Sequence, residues 1–199
     1  MPLHYLALGD SYTIGEAVPA AGRWPAQLAE RLRARGVAID EPQIVATTGW
    51  TTDELSAAMD AASFSPRYDL VTLLIGVNNQ YRGRGADEYR HEFTGLLQRA
   101  IGLAGDRASR VVVVSIPDWG VTRFAREQGR DPAQIAHALD TYNAIARDEA
   151  ARAGARWVDI TPISRRHPEL VADDGLHPSA AQYTLWTEAI EPAAAAAVK

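Results

Sequence analysis

Three side chains in this chain have the types and spacing of an acyl-transfer centre. Ser11 lies in Gly9-Asp10-Ser11-Tyr12-Thr13, directly after an apolar run from Leu3 to Leu8 that reads as a buried strand. A serine hydroxyl is a useful nucleophile only when a neighbouring base takes its proton. Of the five histidines, His4 falls in that first strand, His91 and His137 fall in helical stretches, and His167 precedes a proline in a surface-like turn. His177 differs, because Asp174 stands three positions before it. In a short loop that spacing lets the carboxylate hold the imidazole Nδ1–H and leaves Nε2 toward a serine. The same Asp-Gly-Leu-His-Pro turn would equally serve to cap the last helix. Between the adjacent carboxylates Asp173 and Asp174, the turn geometry favours Asp174: Gly175 can adopt a positive φ that bends its side chain back toward the ring. Leu176 would then point into the core, with Asp173 turned to solvent or to a nearby arginine.

Acyl transfer also needs donors for the developing oxyanion. Gly49, in Thr47-Thr48-Gly49-Trp50, allows close approach of a backbone N–H. Asn78, in Gly76-Val77-Asn78-Asn79, carries a side-chain amide, and the Ser11 N–H is a third donor. Gly49 and Asn78 are also ordinary turn formers. Trp50, Tyr81, Trp119 and Phe124 follow strands and either line an apolar acyl or aryl site or anchor loops inward. Tyr12 and Asn79, next to Ser11 and Asn78, are further candidates for substrate contact.

The elements that would position these residues alternate. Apolar runs at 3–8, 43–46, 69–75, 111–116 and 157–160 read as strands. Between them lie helical patterns: Trp24, Leu28 and Leu32 stopped by Gly36; a helix capped by Thr51 or Thr52 with Leu55 and Met59; and 87–104 with Tyr89, Phe93 and Leu97 on one face. Asp131-Pro132 opens a further helix as cap and first residue. The last begins near Ser179, with Pro192 as a kink or stop. Strand–helix alternation of this kind predicts an α/β fold, a five-stranded parallel sheet with helices on both faces. Strands sharing one direction gather all five carboxyl ends, and with them Ser11, Gly49, Asn78, Trp119 and His177, on one edge.

At 199 residues the chain is expected to form a single domain, 1–199. A net charge of −5 without a basic block offers no footprint for nucleic acid. The absence of cysteine excludes disulfides, thiolate nucleophiles and zinc–thiolate sites. The only lysine is Lys199, which removes a Walker-type phosphate lysine. No apolar run approaches the roughly 20 residues of a membrane span. The chain enters its first strand without a leader-like segment, so a cytoplasmic location is expected. Nothing in the composition indicates an oligomeric state.

Gly9-Asp10-Ser11, Gly49, Gly76-Val77-Asn78-Asn79 and Asp174-Gly175-Leu176-His177 together resemble the four sequence blocks of the SGNH hydrolase superfamily, the GDSL lipases and esterases. Their order and approximate positions agree across the whole chain. The resemblance implies a flavodoxin-like three-layer α/β/α sandwich with Ser11 as nucleophile, His177 as base and Asp174 as orienting acid. It also implies an oxyanion hole formed by the Ser11 amide, Gly49 and Asn78. Tyr12 replaces the usual leucine, and Asn79 stands where aspartate is usual, which bears on hydrogen bonding in that loop. No Gly-x-Ser-x-Gly elbow is present, against the α/β-hydrolase fold. The function read here is a serine esterase acting on small acyl or aryl esters without metal or organic cofactor. Carbohydrate deacetylase, lysophospholipase and thioesterase activities stand beside it within the superfamily. A non-catalytic flavodoxin-like binding module is the rival of another class; it explains the strand-end glycines but gives Asp174 and His177 no role.

Overall fold

The computed structural model describes residues 1–199. Its apolar runs form five short strands: β1 (Tyr5–Gly9), β2 (Gln43–Ala46), β3 (Leu70–Leu74), β4 (Val111–Val114) and β5 (Arg156–Val158). All pair in parallel, in the order β2-β1-β3-β4-β5. The three inner strands are buried at every residue, as a sheet covered on both faces requires. The two edge strands are mostly half-buried.

Helices follow each strand. After β1 come α1 (Ser11–Ile14) and α2 (Trp24–Ala34), and after β2 comes α3 (Thr52–Ala61). After β3 come α4 (Val77–Tyr81) and α5 (Ala86–Leu103), and after β4 come α6 (Arg123–Glu127) and α7 (Pro132–Ala153). After β5 come α8 (Thr161–Arg166) and α9 (Ala180–Ala197). Right-handed crossovers send the leftward step from β1 to β2 over one face and the rightward steps over the other. Accordingly α2 packs on α9, while α5 packs on α7 and α3. Trp24 and Trp186, both fully buried, fill the first layer; Tyr89, Phe93 and Leu97 fill the second. No helix is long and apolar enough to cross a membrane.

Local chemistry sets the boundaries. Thr51 opens α3, its N–H donating to the Glu54 carboxylate at 2.9 Å. Asp131 caps α7, accepting the Ala133 N–H at 2.9 Å, with Pro132 first in the helix. Ser179 caps α9. β4 ends at Val114 and β5 runs Arg156–Val158, short of the expected ends at 116 and 160, and three further expectations shift. β1 begins at Tyr5 rather than Leu3, because Leu3 bridges to Ile39 outside the sheet. Pro192 does not stop α9, which continues to Ala197. Four helices of four to six residues, α1, α4, α6 and α8, occupy stretches read as loops.

The strand order reverses at β1, so the crevice between the carboxyl ends of β1 and β3 is the place where an open parallel sheet receives a ligand. Ser11 follows β1 and Asn78 follows β3.

Candidate active site

Ser11 is the first residue of α1. Asp10 caps that helix, its Oδ1 accepting the Tyr12 N–H at 3.0 Å. Every residue from 5 to 13 is buried, so the core itself fixes the turn. The Asp10 Oδ2 atom is buried without a hydrogen-bond partner. Burial pushes its carboxyl up to about 7, against the opposing pull of the backbone N–H groups around it.

Donors converge beside Ser11. Asn78 donates one Nδ2 hydrogen to the Trp50 carbonyl at 2.9 Å. A side-chain amide has two, and Asn78 lines the same cavity as Ser11. Gly49 sits in the turn closed by the Trp50 N–H on the Thr47 carbonyl, with φ at 90°. Arg82 clamps the Gly49 carbonyl at 2.7 Å, while the Gly49 N–H has no backbone acceptor. The Ser11 N–H, at the first position of α1, is one of the donors every helix start leaves unpaired.

The Asp174–His177 turn lies between α8 and α9. Asp174 Oδ2 is 2.6 Å from His177 Nδ1, and Oδ1 accepts the N–H groups of Leu176 (2.9 Å) and His177 (3.0 Å). Burial alone would raise the Asp174 carboxyl. The bonds from His177 and from the two backbone N–H groups outweigh that and hold it below the usual carboxylate range. Gly175 has φ 72°, as the turn requires. The turn is tied from both sides: the Ala172 N–H bonds the His177 carbonyl at 2.7 Å, and the Phe124 N–H bonds the Gly175 carbonyl at 3.0 Å. The Arg123 guanidinium donates to the Asp173 carbonyl at 2.7 Å and lies across Gly175, where an added Cβ would come within 2.6 Å of Nε. An arginine thus does reach Asp173, but at its backbone rather than its carboxylate. Tyr12 packs edge-on against the His177 ring, centroids 5.8 Å apart.

Ser11 and His177 line one cavity of about 200 Å³, together with Tyr12, Thr48, Gly49 and Asn78. No hydrogen bond joins the two side chains here; catalytic contacts commonly tighten only with substrate bound. The remaining wall is apolar: Val77, Tyr81, Trp119, Phe124 and Leu176. Trp119 meets Tyr81 and Phe124 at centroid distances of 5.4 and 6.4 Å, and its indole N–H donates to Gln80 at 2.8 Å. A larger open groove of about 1070 Å³, between α3 and α5, is lined by residues such as Asp53, Ser56 and Arg99 and holds none of these groups. Convergent chemistry rather than size selects the smaller cavity. No group of three or more His, Asp or Glu side chains is placed to hold a metal ion.

Of the residues expected at the site, Ser11, Tyr12, Gly49, Asn78, Trp119, Phe124 and His177 line the cavity, as does Tyr81. Asp174 stands behind His177. Trp50 and Asn79 do not belong with the substrate contacts. The Trp50 side chain packs on the core, and only its carbonyl reaches the site, as the anchor of Asn78. Asn79 is fully buried, accepting the Thr52 N–H at 3.1 Å and donating to the Thr52 hydroxyl at 2.6 Å. Its amide also lies 3.5 Å from the Glu92 carboxylate, so an amide here avoids facing one carboxylate with another. Thr48 and Val77 as lining, and Arg82 and Arg123 as clamps on site backbone, carry no distinguishing sequence signal beyond adjacency to the motifs.

The sequence model of the GDSL-like lipase/acylhydrolase family matches residues 7–185. A comparison with curated proteins gives no match. Among solved structures, TesA superposes with a TM-score of 0.75 at 18% identity, covering 96% of this chain and 97% of its own. The lipase/acylhydrolase from Enterococcus faecalis gives 0.74 at 19%, covering 100% and 98%. Axe2, an acetylxylan esterase from Geobacillus stearothermophilus, gives 0.74 at 19%, covering 96% and 94%. At these identities the structural likeness speaks for the fold.

Proposed function

The chain belongs to the GDSL-like lipase/acylhydrolase family, and on that premise we propose that it is a serine esterase of small acyl or aryl esters, working through an acyl-enzyme on Ser11. The observation that carries this reading is one small cavity lined by a strand-end serine, free N–H donors and a histidine whose Nδ1 is held at 2.6 Å by Asp174. A non-catalytic binding module would leave that acid–imidazole pair idle.

In this mechanism His177 Nε2 takes the Ser11 hydroxyl proton as Oγ attacks the acyl carbonyl. Asp174 keeps the proton on Nδ1 and stabilises the imidazolium that forms. The carbonyl oxygen, now negative, receives the Ser11 N–H, the Gly49 N–H and the second amide hydrogen of Asn78. Collapse breaks the ester C–O bond, and the imidazolium hands its proton to the departing alkoxide. A water then gives a proton to His177 and attacks the acyl-enzyme; collapse releases the carboxylic acid and returns the proton to Ser11. The cavity supports a small acyl group: about 200 Å³ lies below the roughly 300–1,000 Å³ of pockets that take drug-sized ligands.

The test is hydrolysis of p-nitrophenyl acetate and butyrate by the wild type and Ser11→Ala. The wild type turns over and the variant does not, while their thermal melts agree. Turnover surviving in Ser11→Ala removes the nucleophile assignment.

A further inference from the structure

Behind the apolar wall of the cavity lies a second, separate void of about 10 Å³, at the threshold for holding one water. The two spaces share three lining residues, Tyr12, Trp119 and Leu176. These three residues therefore stand between the two spaces.

They are not equally fixed. Tyr12 is wedged between the rings of His177 and Trp186, at centroid distances of 5.8 and 6.0 Å. Trp119 is 2% exposed, bonded to Gln80 and braced by Tyr81 and Phe124. Leu176 is half-buried, aliphatic and has no hydrogen bond or ring partner on its side chain. The far side of the void suits a hydrocarbon. Pro168, Val171 and Pro178 supply apolar surface, and the polar groups there are already committed. The Thr122 hydroxyl donates to the Trp119 carbonyl, the Ser164 hydroxyl to Thr161 and the Gln182 amide to Leu170. The Asp118 carboxylate is taken by Arg165 at 2.8 Å.

Resting on the esterase reading above, we infer that Leu176 is the stop that limits acyl length, and that removing it joins the cavity to the void behind and admits longer straight-chain acyl groups. The position adds a second consequence. Leu176 lies between Asp174 and His177 in the same turn, so an acyl chain that overruns the cavity presses on the loop holding the base. Overlong substrates should lose kcat, not only affinity.

The experiment compares p-nitrophenyl acetate, butyrate and octanoate on the wild type, Leu176→Ala, Leu176→Val and the double variant Leu176→Ala/Val171→Phe. The octanoate-to-acetate ratio of kcat/KM should rise roughly tenfold or more in Leu176→Ala, the scale on which pockets discriminate hydrocarbon size. It should rise less in Leu176→Val, and fall back when Val171→Phe refills the void from behind. Wild-type octanoate should show its deficit in kcat. If Leu176→Ala melts below the assay temperature, Leu176→Val carries the test by itself. A ratio unchanged in whichever variant folds, with acetate still hydrolysed, overturns the stop. A gain that Val171→Phe does not reverse places the added chain elsewhere and overturns the path. A wild type that hydrolyses none of the three esters defeats the esterase reading instead.

Discussion

Ser11 and His177 face the same cavity from two differently built regions. Ser11, the proposed nucleophile, stands at the end of a central strand, in a stretch of nine consecutive residues, 5–13, none of them exposed. His177, the proposed base, stands in a loop between two helices, next to an acid whose side chain is 36% exposed. The two carboxyls report the difference. Asp10, entombed beside Ser11, is pushed up to about 7 by burial. Asp174, half in water, is pulled below the usual range because the hydrogen bonds it receives outweigh its desolvation. One half of the site is held by the core, whatever the protonation state of its acid. The other is held by hydrogen bonds to its acid, strongest while that acid is charged, and by the backbone and Arg123 contacts that tie down its loop. Damage to the loop should therefore appear in catalysis before stability, and titration of the buried half in stability before catalysis.

The sharpest break in this contrast is at the acid. Asp174→Asn should lower kcat by up to roughly 10⁴-fold, the loss seen when a triad acid becomes an amide and stabilises the wrong imidazole tautomer. Asp173→Asn, one residue away, should leave kcat nearly intact, since its carboxylate has no ion-pair partner while its carbonyl carries the contact to Arg123. Steady-state kinetics on the pair decide it, and a worse defect in Asp173→Asn contradicts the turn geometry.

Next in size is the oxyanion side. Asn78→Ala should reduce kcat by about 10²–10³ with a smaller change in KM, because the charge its amide meets develops in the transition state. A defect confined to KM would make Asn78 a ground-state binding residue.

Arg123 probes how the loop is tied. It touches neither Ser11 nor the cavity; it holds the Asp173 carbonyl, lies across the Gly175 turn and pairs with Glu127 at 3.7 Å. Arg123→Ala should lower kcat about tenfold by letting the base drift, less than the roughly 100-fold that a full 1 Å misplacement can bring. Arg123→Lys, which still donates to the carbonyl, should recover part of it. A melt that drops in step with kcat would make the residue merely structural.

The smallest effect on turnover, and the one that belongs to stability, is at Asp10. With a native value near 7 against an ordinary 3.8, the folded protein binds this proton more tightly than the unfolded chain. Its contribution is complete below about pH 4 and is lost as pH rises through about 7. Urea melts of Asp10→Asn, which keeps an N-cap acceptor, should therefore lack that decline between about pH 4 and pH 7. Parallel slopes in wild type and variant would mean the Asp10 charge is already compensated.

Much of this was legible in the sequence. The alternation of apolar runs with helical periods predicts the parallel sheet, and with it one shared edge for Ser11, Gly49, Asn78 and His177. No periodicity carries the order β2-β1-β3-β4-β5, which the structure supplies; it agrees with the flavodoxin-like sandwich that the resemblance implies. The short helices α1, α4, α6 and α8 escape because four to six residues span too few turns to show a period. That blindness misplaced Asn79: in a loop it would follow Asn78 toward substrate, but successive residues of a helix point about 100° apart, and in α4 it turns into the fold. Trp50 fails for a related reason, since its carbonyl and not its ring reaches the site. Arg82 and Arg123 act on carbonyls of residues 33 and 50 positions away, a pairing that no local pattern encodes.

The central claim is that Ser11 is activated by His177, itself oriented by Asp174. It is tested most directly by treating the folded protein with a fluorophosphonate and locating the adduct by peptide mass spectrometry. One adduct is expected, on Ser11, forming fast in the wild type, slowly in Asp174→Asn and not at all in Ser11→Ala. Labelling that spares Ser11, or that proceeds at the same rate without the Asp174 carboxylate, would contradict the account.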